Sequence, residues 1–298
     1  TDAAAQVILE GLAWLGLAHD GPTVFQSQRA PRHAEVAREM VARGSAYHCY
    51  LSAEELKATR EAAAAAGNVT KFRSPWRDRD PSEAPPGVAP AIRLRAPREG
   101  ETVIEDLVQG VVRVANAELD DMIILRSDGT PTYQHAVVVD DHDMEISHVI
   151  RGDDHLTNAF RQAQIYDAMG WTRPHFAHIP LIHGEDGKKL SKRHGAVSVL
   201  EFQEQGYLPE ALCNHLLRLG WAHGDVEILD RDEAIRLFDL GGVGRGAARM
   251  DPAKLGHINA HWLKLRDDAW LAAEVTRRLA GRPNLALGTD AIHRIHTL

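Results

Sequence analysis

Apolar residues open the chain at helical spacing. Ile8, Leu12 and Leu15 follow Thr1 and Asp2, which read as a helix cap with an acid in the first turn. Pro31 at a first helical position, then Ala34, Ala37, Met40 and Val41 on one face and Gly44 as a stop, predict a second helix. Ser52 and Glu55 form a capping box for a third, which runs through an alanine tract to Gly67. Residues 68–90, broken by Pro75, Pro81, Pro85 and Pro86, read as an irregular connection. The period then changes to two. Short strands are expected at 91–96, 102–107, 111–114 and 122–125, separated by Gly100, Gly110 and Asp128-Gly129. The apolar quartet 136–139 predicts a buried strand and 146–150 another, before a helix at 158–169 ended by Gly170 and a strand at 178–182. That rhythm is the rhythm of a parallel α/β sheet. From Pro209 the pattern is helical, with Pro209 and Gly220 bracketing one helix, Asp230 and Glu233 capping another and Asp251-Pro252 starting a third.

Composition narrows the classes without choosing among them. The 298 residues carry 34 Lys+Arg against 42 Asp+Glu, a net charge of -8, with 44% apolar residues. This is the make-up of a globular protein of two or three structural units. No apolar run approaches the roughly 18 residues of a membrane span, and no leader pattern opens the chain. Cys49 and Cys213 are too few and too far apart for a disulfide framework or a metal knuckle, which fits a reducing cytosol. The acidic balance does not exclude nucleic acid, because what counts is clustering of cations. Lys57, Arg60, Lys71, Arg73, Arg77 and Arg79 make one cluster, and Lys188, Lys189, Lys192 and Arg193 another.

The second cluster sits in Gly187-Lys188-Lys189-Leu190-Ser191-Lys192-Arg193-His194-Gly195. Several donors on a glycine-bracketed loop suit a polyphosphate as it leaves, because they can close on developing charge. Lys-Leu-Ser-Lys-Arg resembles the second signature of the class I aminoacyl-tRNA synthetases. Upstream lie Pro131-Thr132-Tyr133-Gln134-His135-Ala136-Val137-Val138-Val139-Asp140-Asp141 and His148-Val149-Ile150-Arg151-Gly152-Asp153-Asp154-His155-Leu156, then Arg161-Gln162. With Leu119-Asp120-Asp121, the loop tail 194–199 and Gly206-Tyr207-Leu208-Pro209-Glu210-Ala211-Leu212, these resemble the bacterial glutamyl-tRNA synthetases over residues 1–265.

The resemblance implies an α/β fold: a Rossmann-like catalytic core with an inserted α+β acceptor-binding domain, followed by a mostly helical stem-contact region. Residues 1–45 would be the rest of the first half of the nucleotide fold and 46–130 the insert. Residues 131–186 would be the second half, 187–265 the basic loop with the stem-contact helices, and 266–298 the start of an anticodon-binding domain. It implies glutamate activation by ATP with Mg²⁺ and transfer to tRNA(Glu), with tRNA(Gln) as a further candidate, by a cytoplasmic monomer. Arg151 would pair with the side-chain carboxylate of glutamate and Tyr133 would line its pocket. Asp154, His155, Leu181 and Ile182 would flank ATP, while Lys189, Ser191 and Lys192 would bind its phosphates, the two lysines acting in catalysis. The cluster Lys57, Arg60, Lys71, Arg73, Arg77 and Arg79 would contact the tRNA acceptor end, positioning it rather than reading it. Structural zinc is not expected, since Cys49 is the insert's lone cysteine. Asp140, Asp141 and Asp143 are read as turn caps or arginine partners rather than metal ligands.

Two departures accompany the resemblance. The histidine-glycine signature of the first half is not found, and Thr1 is expected to fall past it. The anticodon domain is expected to begin near Arg266 and to be cut short. Two alternatives stay open: a glutamyl-queuosine tRNA(Asp) synthetase, and a catalytically silent tRNA-binding paralogue.

Overall fold

The computed structural model describes residues 2–65, 72, 74–184, 186–190 and 198–280. They fall into two compact units, Gly21–Pro180 and the pair of segments Thr1–Asp20 and Leu181–Leu298. The five-part division expected from the sequence is finer than this one.

Within Gly21–Pro180, helix α2 (Ala30–Ala42) forms as its pattern predicts, with Pro31 in the first turn and Ala34, Val36, Ala37 and Met40 buried on one face. (Helix α1, Asp2–Leu15, belongs to the other unit.) Strand β1 (Ala46–Cys49) follows, a strand the sequence pattern did not predict. Helix α3 (Ala53–Ala65) opens on the expected reciprocal cap: Glu55 N donates to Ser52 Oγ at 3.1 Å and Ser52 N to Glu55 Oε2 at 2.8 Å. Strands β2 (Ala91–Leu94), β3 (Glu101–Asp106), β4 (Gly110–Ala115) and β5 (Ile123–Leu125) fall close to their predicted places.

The quartet 136–139 is corrected: it lies in helix α4 (Tyr133–Asp143). A short apolar run satisfies a buried strand and the inner face of a buried helix equally. Here Val138 and Val139 are fully buried against Met40, Ile165 and other core residues. Glu145, in the left-handed region at φ 55, turns the chain out of α4, and Ile146 N closes the turn on Asp141 O at 2.9 Å. The following strand is therefore displaced, to β6 (His148–Gly152). Helix α5 (Leu156–Met169) ends at Gly170 in the left-handed conformation, as predicted. The strand expected at 178–182 is split into β7 (His175–Ile179) and β8 (Ile182–His183), with the boundary between the units after Pro180.

Two sheets share this unit. One is antiparallel, in the order β1-β2-β5, and buries Ala46, Ile92, Leu94 and Ile124 in one core with α2, α4 and α5. The other runs β4-β3-β7-β6, with β6/β7 parallel and β3 joined to β7 through the parallel pair Asp106 and Phe176. Strands from the expected insert and from the expected nucleotide fold thus hydrogen-bond within one sheet.

Asp140 and Asp143, at the end of α4, pair with arginines. Asp140 accepts from Arg29 Nε at 2.6 Å, Gln26 Nε2 at 3.0 Å and His33 Nε2 at 2.7 Å, and Asp143 accepts from Arg29 and Arg32. Beside them His135 is fully buried and donates from Nε2 to His33 O at 2.8 Å. Burial pushes its pKa down to about 4, against the raising effect of that hydrogen bond. The folded pKa lies below the unfolded value of about 6.5, so the histidine stays neutral and stability is lost as pH falls from about 6.5 to about 4. The loss expected from this group is about 3 kcal/mol. Thermal melts at pH 7 and pH 4 check it: His135→Gln should lose less on acidification than the parent, and equal losses would rule it out.

In the second unit, α1 (Asp2–Leu15) packs beside α6 (Val199–Gln205) and α7 (Pro209–Gly220). Arg231, at the head of α8 (Arg231–Leu237), donates to the C-terminal carbonyls of Leu15 and Gly16. The Asp230 and Asp251 caps form as predicted, accepting from Glu233 N at 2.8 Å and Lys254 N at 3.0 Å. Strand β9 (Ala248–Arg249) pairs parallel with β8, and α9 (Pro252–Lys264) buries Leu255 and Ile258 against α7. The last described element is α10 (Asp268–Ala280).

Candidate functional site

Arg151 sits at the C-terminal end of β6, the end of a parallel strand where open α/β sheets bind ligands. Its register partner on β7 is His178. Arg151 Nε donates to His178 Nε2 at 3.1 Å, and Nη2 donates to Gln162 Oε1 at 2.7 Å and to His155 O at 3.4 Å. Gln162 is buried and its Nε2 has no partner among the described residues, which leaves an amide donor beside the guanidinium. Burial lowers the Arg151 pKa, while the neighbouring Tyr133, Asp141 and Tyr166 oppose that shift. At neutral pH the group remains a cation.

His178 and Asp106 are fully buried behind Arg151. His178 Nδ1 lies 2.6 Å from Asp106 Oδ2. Asp106 Oδ1 also accepts from Val108 N at 3.0 Å, Gln109 N at 2.8 Å and His178 N at 3.1 Å. Burial acts to raise the carboxyl's pKa, but these donors prevail and hold it below the ordinary range.

Tyr133, at the first turn of α4, is half exposed, and its ring lies 6.3 Å from that of His155. Asp154 and His155 occupy a short 3₁₀ turn between β6 and α5, with Asn158 Nδ2 donating to His155 Nδ1 at 3.1 Å. Arg151, Tyr133 and His155 therefore belong to one cluster, with Asp154 adjoining it. Asp141 adds an acid whose pKa is pushed up to about 6 by burial, with Arg151 pulling it down and Asp140 pushing it further up.

Leu181, Ile182 and Lys189 belong to the other unit. Ile182 starts β8 and is packed with Leu190, Leu212 and Met250. The chain folds back at Gly187, φ 72, so that Leu190 N donates to Ile182 O at 3.0 Å and Gly184 N to Lys188 O at 2.8 Å. This turn holds Lys188 and Lys189 at the surface. Ser191 and Lys192 lie outside the described residues.

The basic cluster of 57–79 divides. Lys57 is exposed beside Glu61 at 3.9 Å, and exposed Arg79 lies over Trp76 at 5.1 Å, with Trp76 itself against Tyr50 at 4.8 Å. Lys71, Arg73 and the Arg60 side chain lie outside the described residues. Arg77 is a correction: it is only 7% exposed, donating to Asp121 Oδ1 at 2.6 Å and to Ala96 O at 2.9 Å. A guanidinium so committed ties the short turn Pro75–Arg77 to the segments at Ala96 and Asp121 and is not free to meet phosphate.

His178, Asp106 and Gln162 were not singled out by the sequence as site residues. Gln162 stands in a quoted motif. The other two are joined to Arg151 only through strand register.

Arg151 and its neighbours thus lie at the strand ends where open α/β sheets bind ligands. The family model described as tRNA synthetases class I (E and Q), catalytic domain, matches residues 1–257, and the chain belongs to that family. It is 66% identical over all 298 residues to the glutamate–tRNA ligase 1 of Granulibacter bethesdensis, of which it covers 62%. It is also 66% identical to the corresponding protein of Acidiphilium cryptum, covering 64%. The crystal structure of a glutamate tRNA ligase from Elizabethkingia meningosepticum in complex with its amino acid superposes with a TM-score of 0.86. That protein is 30% identical, over 99% of this chain and 66% of the other. The chain thus spans less than two thirds of the length of the curated relatives it matches. Among the described residues no helix is long and apolar enough to cross a membrane.

Proposed function

We propose that this chain is the catalytic portion of a glutamate–tRNA ligase. The observation that carries the reading is Arg151: a half-buried guanidinium anchored through Nε and Nη2, beside Tyr133 and His155. Such a planar, oriented fork matches a carboxylate, whereas a carboxamide would set its NH₂ against donors. The 66% identity to glutamate–tRNA ligases supports it.

In this reading the α-carboxylate of glutamate attacks the α-phosphorus of ATP. Glutamyl-adenylate forms and pyrophosphate leaves, with Mg²⁺ arriving as part of the ATP complex. The terminal adenosine 2′-hydroxyl of tRNA(Glu) then takes the glutamyl group and AMP leaves. Lys189 and Lys192 offset charge on the departing pyrophosphate, Ser191 adds a donor, and Asp154, His155, Leu181 and Ile182 flank the nucleoside. Lys57 and Arg79, with Arg60, Lys71 and Arg73, hold the acceptor end by charge, so tRNA affinity should fall steeply with salt. The protein acts in the cytoplasm as a monomer.

The test is charging of labelled glutamate onto tRNA with ATP and magnesium, by this chain and by the chain extended to the length of its relatives. In whichever form charges, Lys192→Ala should lower turnover by two or more decades, about 3–4 kcal/mol of barrier, while tRNA binding survives. Unchanged turnover overturns the assignment.

A further inference from the structure

Asp106, His178 and Arg151 lie on three adjacent strands, β3, β7 and β6, in one continuous hydrogen-bonded line. An arginine Nε–H can only donate, so the His178 Nε2 facing it at 3.1 Å must offer a lone pair. The imidazole is then neutral with its proton on Nδ1, pointing at Asp106 Oδ2 at 2.6 Å. Asp106 cannot turn away, because backbone N–H groups of Val108, Gln109 and His178 hold its other oxygen. Gln109 Nε2 donates to His178 O at 2.8 Å and fixes the strand as well. With Nε held by His178 and Nη2 by Gln162, the plane of the Arg151 guanidinium is set.

We propose that Asp106 and His178 are positioning residues that select the histidine tautomer needed to orient Arg151, and through it a ligand carboxylate over a carboxamide. The proposal rests on Arg151 binding the glutamate side chain. The carboxylate dictates the tautomer, as a buried aspartate does for a catalytic histidine. Were the proton on Nε2, two donors would face each other across 3.1 Å and the guanidinium would rotate out of its plane.

Asp106→Asn tests this with little change of shape. Its carbonyl oxygen can keep the backbone donors, while its NH₂ turns a donor toward His178 Nδ1 and drives the proton to Nε2. Long-range ¹⁵N–¹H NMR on the unaltered protein should show His178 as the Nδ1–H tautomer, and in D106N as Nε2–H. In the form that charges tRNA, D106N should raise the KM for glutamate tenfold or more and narrow the preference for glutamate over glutamine. The KM for ATP should stay within twofold. An Nε2–H tautomer in the unaltered protein overturns the proposal without any variant. So does a tautomer switch in D106N with unchanged glutamate KM, provided Arg151→Met raises that KM. If Arg151→Met leaves it unchanged, the reading of Arg151 itself fails, and the selectivity role falls with it.

Discussion

Arg151→Met is expected to lower kcat/KM for glutamate in ATP–pyrophosphate exchange by a factor of about 10²–10³, equivalent to about 3–4 kcal/mol. The size follows from what the substitution strands. Arg151 lies in a half-buried cluster with Tyr133, Gln162, His155 and His178, where water replaces a lost partner poorly. A ligand carboxylate brought there without its cation has been desolvated with little return, and breaking one side of such a pair costs more than the pair itself contributes. The loss should fall mainly on the KM for glutamate, since in the proposed reading Arg151 meets a part of the substrate that does not react. A fall in kcat at constant KM would instead place Arg151 at the reacting centre and refute the assignment.

The largest expected effect on stability belongs to Asp121→Ala. Asp121 is fully buried and accepts from Arg77 Nη1 at 2.6 Å, Tyr47 Oη at 2.9 Å and Ala96 N at 3.2 Å. Its own carbonyl accepts from Arg93 Nη1 at 2.7 Å. Removing the carboxylate leaves the Arg77 cation buried and unpaired, at a cost of about 3–5 kcal/mol. For a unit of this size that is a fall in melting temperature of roughly 6–20 °C, readable by calorimetry. Arg77→Met with Asp121→Asn should recover much of the loss, because the penalty lies in the stranded charge rather than in the missing contact. A single variant melting within a degree or two of the parent would show that water reaches Arg77.

These sites differ in how far the sequence could reveal them. Arg151 and Tyr133 lie within contiguous, ordered motifs, and the roles proposed for them follow from the resemblance those motifs carry. The basic stretch 57–79 reads as one patch because sequence counts charge without seeing depth. Arg77 leaves that patch only because Asp121, 44 positions away, draws it inward. His178 and Asp106 are separated by 72 positions, and nothing local distinguishes His178 from the other sixteen of the 17 histidines. The quartet 136–139 is helical rather than extended for a related reason: its burial is real, but the geometry that achieves it depends on α2 and α5 packing around it.

By itself the sequence determined the family, the order of most helices and strands, their caps and stops, and the motifs in which the candidate ligands lie. Each of these is written in neighbouring residues, where spacing, capping chemistry and turn propensity act over a few positions. The tertiary structure alone decided which side chains meet: Asp106 with His178, His178 with Arg151, Asp121 with Arg77. Such pairs are set by strand register and helix packing between distant segments, and whether a charge ends in water or in the core depends on the whole packed arrangement around it.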